Sequence, residues 1–335
     1  MRNLSEIIQN TFPKKKVVII GDMVADQFLR GSIARVSREA PVFILRHEET
    51  ETLAGGAANA AVNVASLGGK PVLIGLTGSD ENGALLLEEL RRADVDCNYV
   101  IGSEKLKTTT KVRVLAGQHY APRQQVIRID YENRTEIDSA LARRLRENLA
   151  AACSDADAII ISDYNYGVAD PSMADTAREI AAARGIPLLI DSRFRLREFP
   201  NATSATPNQE EVEQILGKAF TAESCDKLRE ELGYESMLVT CGNKGMILAE
   251  KNKQPLYMDA VGPKEPVDVT GAGDTVIAVY ALSLASGLDF AEAADLANRA
   301  GGIVVMKKGT AFVTPDELTA SVNSEGKFRV SETGN

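Results

Sequence analysis

The chain has no tryptophan, two histidines (His47 and His119) and four cysteines in 335 residues. So few histidines argue against a histidine-built metal site or a Ser-His-Asp triad. The cysteines, Cys97, Cys153, Cys225 and Cys241, are scattered with no Cys-x-x-Cys pair. That argues against a disulfide framework and a thiolate zinc site, and fits a reducing compartment. Basic residues are outnumbered, 38 Lys and Arg against 47 Asp and Glu, for a formal net charge of −9. A nucleic-acid surface would need the opposite balance. No apolar run reaches the length of a membrane span, and residues 1–13 lack the apolar core of a secretion signal, so no membrane role and a cytoplasmic location are expected. The first strand pattern runs into Gly21-Asp22-Met23 rather than Gly-x-Gly-x-x-Gly, so the nicotinamide-dinucleotide fingerprint is missing.

What the chain does have is enough apolar residue, 44%, to bury a large core. Short apolar runs at 16–21, 71–77, 159–162, 187–190 and 236–240 read as buried strands. Amphipathic or small-residue stretches at 55–67, 81–93, 170–184, 208–216, 222–232, 273–285 and 290–307 read as helices. Thr314-Pro315-Asp316-Glu317 is a capping box that opens a last short helix, and the final dozen residues are polar and expected to be loose. Alternating strands and helices predict an α/β fold with a mostly parallel central sheet covered on both faces. Residues 31–48 and 107–130 break the pattern as polar-alternating strand pairs, expected to form one small β-sheet lid on a single domain spanning 1–335.

The most informative stretch is Asp268-Val-Thr-Gly271-Ala272-Gly273-Asp274-Thr275. Two glycines allow a tight turn and close approach to a ligand. The helix that follows begins with unpaired amides and the positive end of its dipole, which favours phosphate. Asp274 lies in the same first turn. An anion hole beside a carboxylate suits phosphoryl transfer to a hydroxyl, although a Gly-Ala-Gly turn with an Asp in a first helical turn is also a common structural device.

With Gly55-Gly56-Ala57-Ala58-Asn59 near the N-terminus and Gly21-Asp22 after the first strand, these residues resemble the signatures of the ribokinase-like (phosphofructokinase-B) sugar kinases over about residues 14–320. Within that family the chain is most similar to kinases of D-glycero-β-D-manno-heptose 7-phosphate. The similar points are Asp26, Ser37-x-Glu39-Ala40-Pro41-Val42, Thr109 to Arg113, Gln125 to Asp130 and Ser162-Asp163-Tyr164. The resemblance implies a three-layer ribokinase-like sandwich and ATP-dependent phosphorylation of the anomeric hydroxyl. It makes Asp274 the catalytic base, with Gly271, Ala272 and Gly273 as its anion hole. Asn208 and Glu211 match the family's Asn-x-x-Glu, which helps hold Mg²⁺ through water, and Asn208 also reads as a helix N-cap. Thr240, Gly242 and Gly245 match a loop beside the nucleotide. On the acceptor side, Asp22, Asp26, Gly55, Gly56 and Asn59 are the sugar-binding candidates, and Lys111, Arg113 and Arg128 the candidates for a substrate phosphate. The aspartates could equally be loop or cap residues, and the three cations solvated charges on an exposed sheet.

The resemblance further implies a homodimer through the lid and leaves open a monovalent cation near Asp268. The chain lacks the nucleotidyltransferase fused to many such kinases and so resembles the free-standing form. It departs from the pattern at Tyr166 and at Asp191-Ser192-Arg193, where the family has lysines, and at Gln27 and Arg38. Arg193 can replace one lost charge beside the phosphates, placing it among the ATP-binding candidates; Tyr166 cannot. The expected function is therefore a sugar kinase. The alternatives are another sugar, sugar phosphate, sugar acid or nucleoside as acceptor, and a sugar-phosphate-binding regulator without turnover.

Overall fold

The computed structural model describes residues 3–117, 123–132, 137–263 and 265–324. His119 and most of the polar final dozen residues fall outside them. In chain order the strands are β1 (Lys16–Gly21), β2 (Met23–Val36), β3 (Phe43–Gly56), β4 (Lys70–Gly78), β5 (Asp96–Ser103), β6 (Thr110–Gly117) and β7 (Gln124–Tyr131). They continue with β8 (Ala158–Asp163), β9 (Leu188–Ser192), β10 (Ser204–Ala205), β11 (Ser236–Thr240), β12 (Met246–Glu250) and β13 (Leu256–Met258).

Nine of them form one sheet in the order β13-β12-β11-β10-β9-β8-β1-β4-β5. Seven run parallel, and the hairpin β12–β13 adds antiparallel strands at one edge. Alternate residues of β1 enter opposite cores. Val17 and Ile19 join helices Ala57–Ser66, Ala272–Ala285 and Phe290–Val304, while Val18 and Ile20 join helices Ser139–Ala152, Pro171–Arg184 and Ala222–Glu231. Burial on both faces explains why these strands are nearly all Val and Ile rather than alternating with polar residues. The chain runs outward from β1 to β4 and β5 on one side and then crosses back to β8 on the other, so the strand order reverses beside β1, where a crevice at the carboxyl ends of the strands is expected. This is the ribokinase-like α/β sandwich expected. Among the described residues no helix is long and apolar enough to cross a membrane.

The second sheet, β3-β2-β6-β7, is mixed: β2 pairs antiparallel with β3 and parallel with β6. Its strands are longer than the pattern indicated. β2 starts at Met23, one residue past β1, and β3 ends at Gly56, so the lid grows directly out of the crevice floor. The glycine pair thus closes a strand rather than opening a helix, and helix Ala57–Ser66 begins after it. Several elements escaped the sequence reading, among them the short strands β10, β12 and β13, the edge strand β5 and one helix. β5 is a half-exposed edge strand with little apolar signal. Helix Ser139–Ala152 had a signal, Leu145 and Leu149 buried at helical spacing behind the cap Asp138.

Candidate active site

Gly271 caps helix Ala272–Ala285 at φ 79°, a left-handed conformation in which a side chain is strained. A Cβ there would also sit 2.6 Å from Asn59 Nδ2. No side chain caps this helix end. The Ala272 N–H is turned back onto Val269 O at 3.3 Å, whereas a Cβ on Gly273 would meet open space. Of the expected anion hole, the Gly273 position therefore faces the cleft most freely.

Asp274 is buried in the first turn. Its Oδ2 accepts a hydrogen bond from Asn59 Nδ2 at 2.6 Å, and its Oδ1 accepts one from the Tyr164 hydroxyl at 3.0 Å. Asn59 is held in turn: Thr275 Oγ1 donates to Asn63 Oδ1 at 2.8 Å, and Asn63 Nδ2 donates to Asn59 Oδ1 at 3.2 Å. That chain turns the Asn59 amide so that its nitrogen faces the carboxylate. Burial pushes the Asp274 carboxyl up to about 6, against the two donated hydrogen bonds and the Arg193 charge. A carboxylate there is ionised at neutral pH yet basic enough to accept a proton.

A cavity of about 650 Å³ beside Asp274 is lined by Asp191, Arg193, Thr206, Asn208 and Glu211. Asn208 is the N-cap of helix Gln209–Leu216, and Glu211 completes a reciprocal capping box by accepting from the Asn208 N–H at 2.9 Å. The second Glu211 oxygen accepts from Asn208 Nδ2 at 2.7 Å. Burial pushes Glu211 up to about 7, and Asp191 is driven well above the carboxylate range by burial and by the charges of Asp274 and Glu211. Burial opposes the charge of Arg193, but Tyr164, Asp274, Glu211 and Asp191 outweigh it and hold the guanidinium charged. Thr206 Oγ1 is buried without a partner. A hydrated dication fits this wall: it would keep Glu211 ionised and offer its water to the unpaired hydroxyl. Asp191, in sequence only part of a departure from the family pattern, lines this cavity among other acids, a placement that the sequence does not show.

Past Thr240 and Gly242 a narrower, apolar pocket of about 180 Å³ is walled by Met246, Val261, Val276 and Gly302. Gly245 has φ 93°, and a Cβ there would lie 1.9 Å from Met258 O, so only glycine lets the β11–β12 turn close on β13.

On the lid side Asp26 is buried, with Gly55 packed so tightly that a Cβ would lie 2.6 Å from Asp26 Oδ2. Arg113 reaches Asp26 at 3.4 Å. Asp22 is different. Its carboxylate accepts the backbone N–H groups of Tyr164, Tyr166 and Val168 at 2.9 to 3.0 Å, so it pins that turn rather than presenting oxygens to a sugar. Gly56, at φ 59° with its Cβ position 2.5 Å from Asp22 O, serves the same junction. Arg128 also departs from expectation: it lies exposed on β7, forked onto its neighbour Asp130 at 2.9 and 3.0 Å, and is already neutralised. Lys111 is buried, over the rings of Tyr164 and Tyr166. Arg30, absent from the sequence reading, stacks with Arg113 on the Phe28 ring, at 5.8 and 5.9 Å. Both line a groove of about 1330 Å³ that runs to Thr270 and Gly309. Pairing of β2 with β6 puts Phe28 opposite Arg113, a juxtaposition hidden in sequence.

The pfkB family carbohydrate kinase model matches residues 14–317. The chain belongs to the PfkB family of carbohydrate kinases. It is an ATP-dependent sugar kinase by that membership. It is 38% identical over 326 residues to the bifunctional protein HldE of Caulobacter vibrioides, covering 95% of this chain and 65% of that one. The bifunctional protein HldE of Haemophilus influenzae is 39% identical over 320 residues, 93% of this chain and 64% of its own. The chain thus spans slightly less than two thirds of these relatives. Among solved structures, Arabidopsis thaliana ribokinase complexed with ribose and ATP superposes with a TM-score of 0.70 at 20% identity, covering 93% of this chain and 99% of that one. Escherichia coli phosphofructokinase-2 in complex with substrates and products gives 0.75 at 17%, covering 91% and 97%. At such identities the likeness is one of fold.

Proposed function

We propose that this PfkB kinase phosphorylates the anomeric hydroxyl of a heptose 7-phosphate, giving a 1,7-bisphosphate. The single observation behind the catalytic part is Asp274: a buried, doubly donated carboxylate in the first turn of an uncapped helix, lining the same cavity as Asn208 and Glu211. In this reading Asp274 takes the proton of the acceptor hydroxyl, and the helix N-terminus at Gly273 stabilises charge on the transferred phosphoryl group. The apolar pocket beyond Gly245 receives the nucleotide base. Arg193 lies beside the phosphates in place of the family lysine. Asn208 and Glu211 would hold Mg²⁺ through water, where the ion supplies charge neutralisation. Asp268, which accepts from the N–H groups of Thr270 and Gly309 at 2.9 Å, staples the loop where a monovalent cation would bind; Escherichia coli phosphofructokinase-2 has been solved in complex with potassium.

The heptose phosphate rests on the HldE relatives and on Arg30 and Arg113, two cations stacked on one ring in the acceptor groove and suited to bidentate phosphate contacts. The lid also carries apolar side chains turned to solvent, Phe43, Ile127, Ile129 and Tyr131 among them. A second copy pairing lid to lid would cover them, and a cytoplasmic homodimer completes the reading.

An ADP-release assay across sugars and sugar phosphates tests the substrate. The heptose 7-phosphate is expected to give the highest kcat/KM. A different acceptor preferred at least about tenfold, or roughly 1.4 kcal/mol, would reassign it within the family. Binding with no turnover of any acceptor would favour the regulator reading.

A further inference from the structure

Of the similar points, Ser162-Asp163-Tyr164 is left without a role by the kinase reading. Asp163 is explained by its neighbours: it takes the Ser192 hydroxyl at 2.7 Å and pairs with Arg195, which ties β8 to the turn after β9. Tyr164 is tied down from three directions. Its backbone N–H donates to Asp22, which also holds the amides of Tyr166 and Val168. Its ring lies 4.8 Å from the Arg193 guanidinium and 5.6 Å from Lys111 Nζ on lid strand β6. Its hydroxyl donates to Asp274 Oδ1.

We propose that Tyr164 is the positioning residue for the proton acceptor: its hydroxyl fixes the Asp274 carboxylate, and its ring links that carboxylate to the lid through Lys111. This rests on the reading of Asp274 as the base. Two donors arriving on different oxygens, from Asn59 and Tyr164, fix the carboxylate plane. The lone pairs left over then point in set directions, one available to the acceptor hydroxyl. Burial and the charges of Asp274 and Asp191 drive the phenol well above its ordinary range, so it stays a donor throughout the working pH. The other groups facing Asp274 are Asn59 from helix Ala57–Ser66, Asp191 from β9, Arg193 just past the end of β9, and Asp26 from β2.

The test is the pH profile of kcat/KM, which reports the free enzyme's base. Tyr164→Phe keeps the ring and deletes the donor. The donated bond favours the ionised base, so its loss raises the base's pKa. The acid limb should move up by about one pH unit, and kcat should fall about tenfold. A 3-fluorotyrosine placed at 164 is a stronger donor, and its acid limb should move down. Opposite shifts are not expected of a residue that only supports packing. Acid limbs unmoved in both proteins, with D274N inactive in the same assay, would overturn the positioning role alone. An active D274N would instead remove the base reading on which it rests.

Discussion

The two ends of the cleft are built on different principles. At the phosphoryl-transfer end the candidate base and the groups that hold it are over-determined. Asp274 has two donors, Asn59 is oriented by Asn63 and Thr275, Asp22 holds three amides, and glycines sit where a side chain would collide. At the lid end the cations rest mostly on exposed ion pairs. Arg30 shares Glu49 and Glu51, Arg113 meets Asp26 only at 3.4 Å, and Arg128 leans on its own strand neighbour. In the proposed reading, chemistry that tolerates little misplacement is embedded in the sandwich, and recognition falls to the projecting sheet. Substitutions at the first end should therefore reduce kcat, and those at the second should raise KM for the acceptor.

The largest effect is expected for D274N: kcat lower by about 10³-fold in a coupled ADP-release assay, with melting temperature and nucleotide binding retained. Turnover near that of the parent enzyme would dissolve the distinction between the ends. Next, Gly271→Ala places a Cβ in a left-handed conformation against Asn59. It should cost about 1–3 kcal/mol of stability by denaturant unfolding and disturb the base together with the fold. At the lid end, R113Q should raise KM for the sugar phosphate about tenfold or more with kcat held, and should leave KM for an unphosphorylated acceptor unchanged. A loss in kcat instead would place Arg113 in the transition state. A milder effect comes from pH. Asp274 must be ionised to accept a proton, so kcat/KM should rise through about pH 6 and level off above it; a profile flat across that range would mean that another group takes the proton. Smallest of all, R128Q should change KM by less than about twofold, because an exposed pair within one strand contributes at most about 1 kcal/mol.

Much of this was legible in the chain. The buried strands announce themselves because both faces of the sheet are covered, so a run such as Val17 to Ile20 carries no polar interruption. Gly271 to Asp274 is legible because an uncapped helix start needs glycine there. The hidden parts depend on partners distant in sequence. Asp22 looks like a ligand-binding carboxylate until the amides of Tyr164, Tyr166 and Val168 are placed on it. Arg128 looks free until its side chain folds back on Asp130. Arg30 becomes interesting only when β2–β6 pairing brings it near Arg113 on one ring.

The ribbon β2–β3 has one more consequence. Its root carries Asp26 and Gly55, while its register shifts come only after Arg30 and after Ile33. Everything beyond Gly31 can thus be rebuilt as a cassette. Exchanging residues 32–44 for a shorter hairpin would redraw the rim of the lid groove and the surface offered to a neighbouring molecule, while the root that carries Asp26 and Gly55 stays as it is. In evolutionary terms, such a fold can acquire new acceptors and new assemblies by editing a fingertip.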